Sequence, residues 1–329
     1  MNLQNTLARA VAGGELSPGD LAFLLSLEAP ADLEALYHAA YQVKLKYIDN
    51  KVRLRGLIEI SNICRKNCLY CGIRSGNRKV ERFEMSLDEI MEAARHAAEF
   101  RYGSVVLQAG ERTDPRWIDF VEEAVRDIKS IDGGRLGITL SLGEQSAETY
   151  RRWFAAGAHR YLLRIESSDS GLYAKLHPAD HRYDERVEAL RLLRETGYQV
   201  GTGVMIGLPG QTVENLVHDL EFFKRLDVDM IGMGPYLVHH DTPLGQQFPE
   251  CGSDTARQLE RARHVGLVAG PCSILHGINP CWVRGTGARF PRGTGRGPGS
   301  GGRPRRSGCR PPRRGGAARP SPVRRPPAT

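Results

Sequence analysis

From residue 53 onward, short apolar runs alternate with longer amphipathic ones. The strand-like runs are RLRGLIEIS (53–61), SVVLQAG (104–110), LGITLSLG (136–143), RYLLRIES (160–167), VGTGVMIGL (200–208) and DMIGMGPYLV (229–238). Helix-like segments lie between them. The clearest opens at Ser86, where Ser-Leu-Asp-Glu predicts a capping box and Ile90, Ala93, Ala94, Ala97 and Phe100 recur at helical spacing. DPRWIDFVEEAVRDIKS, SAETYRRWFAAG, DERVEALRLLRETG and TVENLVHDLEFFKRL repeat the pattern, most of them ending in Gly or a basic residue. Mostly apolar strands alternating with helices predict a parallel sheet covered on both faces. Six β/α units of about 25–40 residues predict an α/β fold of the (β/α) barrel type, whose chemistry sits at the C-terminal ends of its strands. A doubly wound open sheet is the competing architecture. The barrel is preferred because Gly-bearing polar motifs follow nearly every strand. Residues 1–50 read as helices, with start signals at Ser17-Pro18-Gly19-Asp20 and an amphipathic run ADLEALYHAAYQVKLKY. The expected organisation is therefore an N-terminal helical segment (1–50), the barrel (51–255) and a tail (256–329).

Charge divides the chain sharply. Of 329 residues, 46 are Lys or Arg and 38 Asp or Glu, a net charge of +8. Residues 261–329 hold 15 arginines and no Asp, Glu or Lys, so residues 1–260 carry −7. The basic excess thus says nothing about the folded part, and neither nucleic acid nor membrane is an expected partner. Residues 281–329 contain 13 Arg, 11 Gly and 9 Pro among 49, a composition that predicts disorder. It is also the composition expected when GC-rich DNA is read out of frame. With no run of 18 apolar residues, no secretory pattern at the N-terminus and an odd seven cysteines, the expectation is a soluble cytoplasmic protein.

Three cysteines are bunched directly after the first barrel strand. SNICRKNCLYCG gives Cys64-x3-Cys68-x2-Cys71, close enough for three thiols to meet at one centre. Zinc normally takes four ligands, and no His or fourth Cys is expected nearby to complete the set. Three thiolates suit a [4Fe–4S] cluster with one iron left open. Elsewhere, Arg55, Gln108, Arg160 and Arg164 lie on or beside strands that should be buried, where an unpaired charge is costly. They are candidates to line a polar cavity for an anionic or metal-bound substrate, or to form internal salt bridges with Glu59, Glu144 or Glu166. His239-His240-Asp241 reads as a loop whose adjacent side chains point to opposite faces.

The cysteine loop resembles the signature of the radical S-adenosylmethionine (SAM) superfamily. NICRKNCLYCGIRSGNRKVERFEMSLDEI, SVVLQAGE, TLSLGE, RYLLRIES, GVMIGLPGQT and DMIGMGPYLVHHDTPL are similar to the HydE-type [FeFe]-hydrogenase maturases and their methylornithine-synthase and biotin-synthase relatives, over roughly residues 30–255. The resemblance implies that Cys64, Cys68 and Cys71 hold a [4Fe–4S] cluster whose open iron chelates SAM. It implies that Gly110 and Glu111, in a Gly-Gly-Glu-like motif with Ala109 in the first position, receive the SAM ammonium. Glu166 would accept from the ribose hydroxyls and Arg186 would pair with the carboxylate, although the residues alone would make Arg186 a surface charge. Tyr70, Gly72, Met205, Met230 and Leu237 would cover the adenine.

The same resemblance implies reductive cleavage of SAM to a 5′-deoxyadenosyl radical during assembly of the hydrogenase di-iron subcluster. The expected partners are an iron-containing small-molecule precursor, other hydrogenase maturases, and a reductant such as ferredoxin or flavodoxin. A methylornithine-synthase-like radical mutase and an inactive paralogue with a basic interaction arm are the alternatives. The chain departs from the family after strand six. The seventh and eighth units, the Thr-Thr segment and the accessory-cluster cysteines cannot be located, and Cys272, Cys281 and Cys309 lack the spacing for a second cluster.

Overall fold

The computed structural model describes residues 2–52 and 54–251, with Glu260, His264, Val265 and Val268. The segment 281–329, expected to be disordered, and Cys272 lie outside the described residues, while Val265 and Val268 of the expected tail are buried in the main core.

Three helices open the chain: α1 (Leu3–Ala12), α2 (Pro18–Leu25) and α3 (Pro30–Ile48). Ser17 caps α2 in a reciprocal capping box with Asp20, and Pro18 sits in the first turn, where its missing N–H costs nothing. Leu7, Leu21, Leu24 and Leu36 are buried in the same apolar core as the barrel strands.

The β/α alternation follows. It runs β1 (Gly56–Ser61), α4 (Leu87–Glu99), β2 (Ser104–Ala109), α5 (Pro115–Ser130), β3 (Gly137–Ser141), α6 (Ala147–Ala156) and β4 (Arg160–Leu162). Then come α7 (Ser170–Leu176), α8 (Tyr183–Thr196), β5 (Gln199–Thr202), β6 (Met205–Ile206), α9 (Val213–Arg225), β7 (Met230–Ile231), β8 (Gly234–Pro235) and α10 (Pro243–Gln247). Ser86 and Glu89 form the capping box expected of α4, and Asp114, Ser146 and Thr212 cap α5, α6 and α9. The helices α7 and α10 have no counterpart in the sequence reading, because seven and five residues are too few to display a period.

The main sheet has the order β1-β2-β3-β4-β5-β7, every neighbouring pair parallel. Strand order never reverses, so there is no switch point of the doubly wound kind, and the sheet winds as a barrel does. Among the described residues it ends at β1 on one side and β7 on the other. Ile58 and Ile60 of β1, Val105 and Leu107 of β2, and Ile138 and Leu140 of β3 pack with Ile90, Trp117, Val121 and Phe223 of the helices. Leu57 and Glu59 alternate with the buried isoleucines and are exposed.

The fifth and sixth strands are shorter than the sequence predicts. Each breaks into a main-sheet piece and a second piece, and β6 pairs with β8 in a separate two-stranded ladder. The break comes at Gly203, where a Cβ would run into the carbonyl of Gly232. Two backbones cross there at a distance only glycine permits.

Candidate metal and cofactor site

The coil from β1 to α4 carries the three cysteines. It is shaped largely by one side chain: Arg82 donates to the carbonyls of Asn62 (2.7 Å), Ile73 (2.7 Å), Arg74 (2.8 Å) and Asn77 (3.2 Å). Asn67 Oδ1 accepts from Arg74 Nη1 and the Gly76 N–H, at 2.9 and 3.1 Å. A guanidinium satisfying four carbonyls turns a coil without regular structure into a fixed one. Cys64, Cys68 and Cys71 are all half-buried free thiols. Burial raises the Cys64 thiol, and burial with the neighbouring Cys71 pushes Cys68 up to about 12. Cys68 also feels Cys64, so the three sulfurs share one electrostatic environment. Such a set holds three negative charges only around a compact cationic centre, and that donor chemistry fits an iron–sulfur cluster.

The end of β2 closes over this loop. A Cβ on Gly110 would sit 2.6 Å from Cys64 Cβ, so the two segments touch because residue 110 has no side chain. The next residue, Glu111, is 4% exposed and donates its N–H to Cys64 Sγ at 3.3 Å. Its Oε1 accepts from Arg65 Nε (3.0 Å) and lies 3.6 Å from Lys66 Nζ, while its Oε2 accepts the Glu144 N–H at 2.8 Å.

Glu144, just beyond β3, is the hub of the charge network. It pairs with Lys66 at 2.8 Å and with Arg186 Nε. Burial acts to raise the Glu144 carboxyl, but Arg186 and Lys66 overrule it and hold it at about 2. Arg186 is buried, contrary to its reading as a surface charge, and its Nη1 donates to the Arg164 carbonyl at 2.7 Å. Burial works against its charge and Glu144 more than restores it.

Glu166 stands in the left-handed region, with φ 65°, an uncommon conformation for a residue with a side chain. Its N–H is taken by the Gly203 carbonyl at 2.9 Å, and its own carbonyl accepts from Met205 at 3.1 Å. Arg164 Nη2 lies 3.1 Å from Glu166 Oε2 but outside hydrogen-bonding direction, which leaves that buried oxygen without a donor. An ion-paired acceptor that receives no hydrogen bond, on a left-handed backbone, has the chemistry to accept from a hydroxyl.

The remaining candidates fall in different places. Tyr70 meets the edge of His177 at 5.5 Å, and Met205 lies in the small apolar cluster packed against Leu69 and Tyr70. The His239 ring rests against Gly72. Leu237 is 36% exposed. Gln108 donates to Glu59 at 3.3 Å. Arg160 starts β4 and donates to Gln199, which starts β5, at 2.7 Å; it therefore sits at the N-terminal end of the strands and lines no cavity among the cysteines and carboxylates. Arg55, just before β1, reaches Met230 Sδ at 3.1 Å, so these two also meet away from the cysteine loop.

Two further sequence readings are corrected. Residues 239–242 form a turn, with the Thr242 N–H on the His239 carbonyl at 3.0 Å, so His239 and His240 stack at 5.0 Å instead of pointing apart. The Cys loop does have histidines nearby: His177 and His181 lie beside Cys68, with Cys68 Sγ 3.7 Å from His181 Nδ1. Burial lowers both imidazoles to about 4. Lys66, the hub role of Glu144, Tyr173 and these two histidines escaped the sequence reading. His177-x3-His181 was the signal for the histidines, and a second strand ending in Gly-Glu was the signal for Glu144.

Comparison with known proteins agrees with this arrangement. The profile of the Radical SAM superfamily matches residues 58–223. The chain is 46% identical over 215 residues to the [FeFe] hydrogenase maturase subunit HydE of Thermotoga maritima, a match covering 65% of this chain and 60% of that protein. It is 31% identical over 269 residues to the 3-methylornithine synthase of Methanosarcina acetivorans, covering 81% and 74% respectively. The crystal structure of methylornithine synthase (PylB) superposes with a TM-score of 0.70 at 28% identity, over 81% of this chain and 77% of that one. The maturase HydG shares the fold, with a TM-score of 0.71 at 22% identity, over 84% and 62%. The matched part thus spans 60% of the length of the HydE relative. A three-cysteine loop at the C-terminal end of β1, a Glu closing β2 and these likenesses have one common source: the chain belongs to the radical SAM superfamily of iron–sulfur enzymes, which use a [4Fe–4S] cluster and SAM.

Proposed function

We propose that this chain is a HydE-type hydrogenase maturase, with Cys64, Cys68 and Cys71 as its cluster ligands. The observation that carries the reading is the 46% identity over 215 residues to the HydE of Thermotoga maritima. When bound, the cluster with SAM supplies one-electron cleavage of the S–C5′ bond to a 5′-deoxyadenosyl radical.

The protein's own groups bind and orient. Gly110 and Glu111 form the wall that receives the SAM ammonium, and the Glu111 carboxylate is held by Arg65, Lys66 and the Glu144 N–H so that it does not move to meet the ligand. Arg186 offers its fork to the SAM carboxylate from a position locked by Glu144 and the Arg164 carbonyl. Glu166 Oε2, lacking a donor, takes a ribose hydroxyl. Tyr70, Gly72 and Met205 form the adenine wall, with Leu237 at its margin; Met230, in contact with Arg55 at the N-terminal end of the strands, takes no part in it. Gln108 and Arg164 face the substrate, an iron-containing small-molecule precursor in this reading, while Arg55 and Arg160 are left to structural contacts. Pre-set polar groups cost no reorganisation during reaction, and closure around the ligand excludes water from a radical. The domain reading assigns this work to residues 51–255, with ferredoxin or flavodoxin as reductant and the other hydrogenase maturases as partners in the cytoplasm.

The likeness to 3-methylornithine synthase, 31% over 269 residues, favours a radical mutase as the second reading. In vitro maturation separates the two. Purified chain added to an extract that lacks only HydE should restore hydrogenase activity; formation of 3-methylornithine with no restored hydrogenase would favour the mutase.

A further inference from the structure

Cys68 differs from the other two thiols in the company it keeps. Its Sγ and one ring nitrogen from each of His177 and His181 all lie within 4.8 Å of one another. The Sγ to His181 Nδ1 separation is 3.7 Å. With metal–sulfur bonds of about 2.3 Å and metal–nitrogen bonds of about 2.0–2.1 Å, a tetrahedral site has ligand–ligand edges of roughly 3.3–3.6 Å. One edge is therefore nearly in place, and no other need close by more than about 1.5 Å.

The His177 imidazole is prepared as a ligand is, and His181 is held beside it. His177 follows α7, and its Nδ1 lies 2.9 Å from the Tyr173 carbonyl, which can only accept. Nδ1 therefore carries the proton, and Nε2, which faces the Tyr70 hydroxyl at 3.5 Å and gives up that contact on binding, is the ring's ligand atom; a backbone carbonyl on Nδ1 is the usual outer partner of a metal-bound histidine. The Tyr173 ring stacks on His177 at 3.9 Å and fixes its plane. His181 is carried round by a turn in which its N–H meets the Pro178 carbonyl at 2.9 Å. Both histidines are buried. The neighbouring cations Lys66 and Arg186 are both engaged by Glu144, which offsets their repulsion of a metal ion.

We propose that, when the chain lacks its cluster, Cys68, His177 and His181 bind a single zinc-class divalent cation, with the fourth position left to water. Binding releases the Cys68 thiol proton to solvent as the sulfur–metal bond forms. The mononuclear site rests on the geometry of these three residues; its consequence, that the cation and the cluster compete for Cys68, rests on the cluster assignment above. Zinc then blocks cluster assembly by occupying one thiol of three.

The test is a titration of the full-length chain, stripped of metal by chelation under anaerobic conditions, with Co²⁺ as the visible stand-in for Zn²⁺. One Co²⁺ per chain is expected, with tetrahedral visible bands, a thiolate-to-cobalt charge-transfer band, and displacement by Zn²⁺. The Cys64→Ser/Cys71→Ser double variant retains these bands with affinity nearly unchanged. The His177→Ala/His181→Ala double variant loses more than the roughly 10–100-fold that removal of an outer partner costs, and it still takes up iron on reconstitution. His181→Gln alone, checked for native circular dichroism, gives the same direction of loss should the double variant not fold. Bands lost in the Cys64/Cys71 variant, or kept in the histidine variants, overturn the proposal, as does a wild-type chain that binds no cobalt. A wild-type chain that binds cobalt in this way yet takes up no cluster iron would sink the cluster reading and leave this site standing.

Discussion

The Glu111 N–H points at Cys64 Sγ from 3.3 Å, which ties the end of β2 to the first cysteine of the loop after β1. A hydrogen bond to sulfur favours the thiolate, and here it opposes the burial that raises Cys64. The contact exists because Gly110 lets the strand end approach within van der Waals range of Cys64. Gly110→Ala must push the two segments apart, at a cost of about 1–3 kcal/mol. The expected outcome is a lowered urea midpoint together with a lower iron-to-protein ratio after gel filtration. An alanine variant with wild-type iron retention would show that the close approach is incidental.

Glu144 pairs with two buried cations at once. Glu144→Gln leaves the Arg186 guanidinium buried without a counter-charge, and breaking one partner of such a pair costs about 3–5 kcal/mol. Denaturant unfolding should show a loss of that order. SAM affinity, read by equilibrium dialysis, should fall as well, because Arg186 loses the group that fixes its fork.

Asp219 of α9 is a buried acid. It accepts from the Ser168 N–H at 2.7 Å and the Ser168 hydroxyl at 2.6 Å, while its Oδ2 has no partner. Burial raises its carboxyl to about 7, although the Ser168 bonds work the other way. The folded chain thus holds this proton more tightly than the unfolded chain, whose Asp titrates near 3.9. Its contribution to stability is complete below about pH 4 and is lost as pH rises through about 7. Asp219→Asn should flatten that part of the stability–pH curve and raise stability at pH 8 relative to wild type. Unchanged curvature between pH 5 and 8 would show that Asp219 does not titrate there.

Much of this was legible from residue order. The capping box at Ser86, the apolar strands and the Cys64-x3-Cys68-x2-Cys71 spacing are local features, and local chemistry fixes them. What escaped is set by tertiary contact. The breaks in the fifth and sixth strands depend on Gly203 meeting Gly232 across two strands. His177 and His181 reach Cys68 only because α7 folds back over the cysteine loop, where the Leu69 N–H meets the Leu176 carbonyl at 2.9 Å. Arg160 and Gln108 both read as polar residues on apolar strands, yet they lie at different heights along the barrel, and only the strand register tells them apart. His239 and His240 stack because a turn replaces the extended backbone assumed for them.

The most direct measurement is anaerobic reconstitution of the wild-type chain and the Cys64→Ser/Cys68→Ser/Cys71→Ser variant, followed by reduction with SAM present. The wild type should hold about four iron atoms per chain and release 5′-deoxyadenosine, and the triple variant should do neither. Equal iron and equal 5′-deoxyadenosine in both would contradict the assignment of these three thiols as the ligands of the centre.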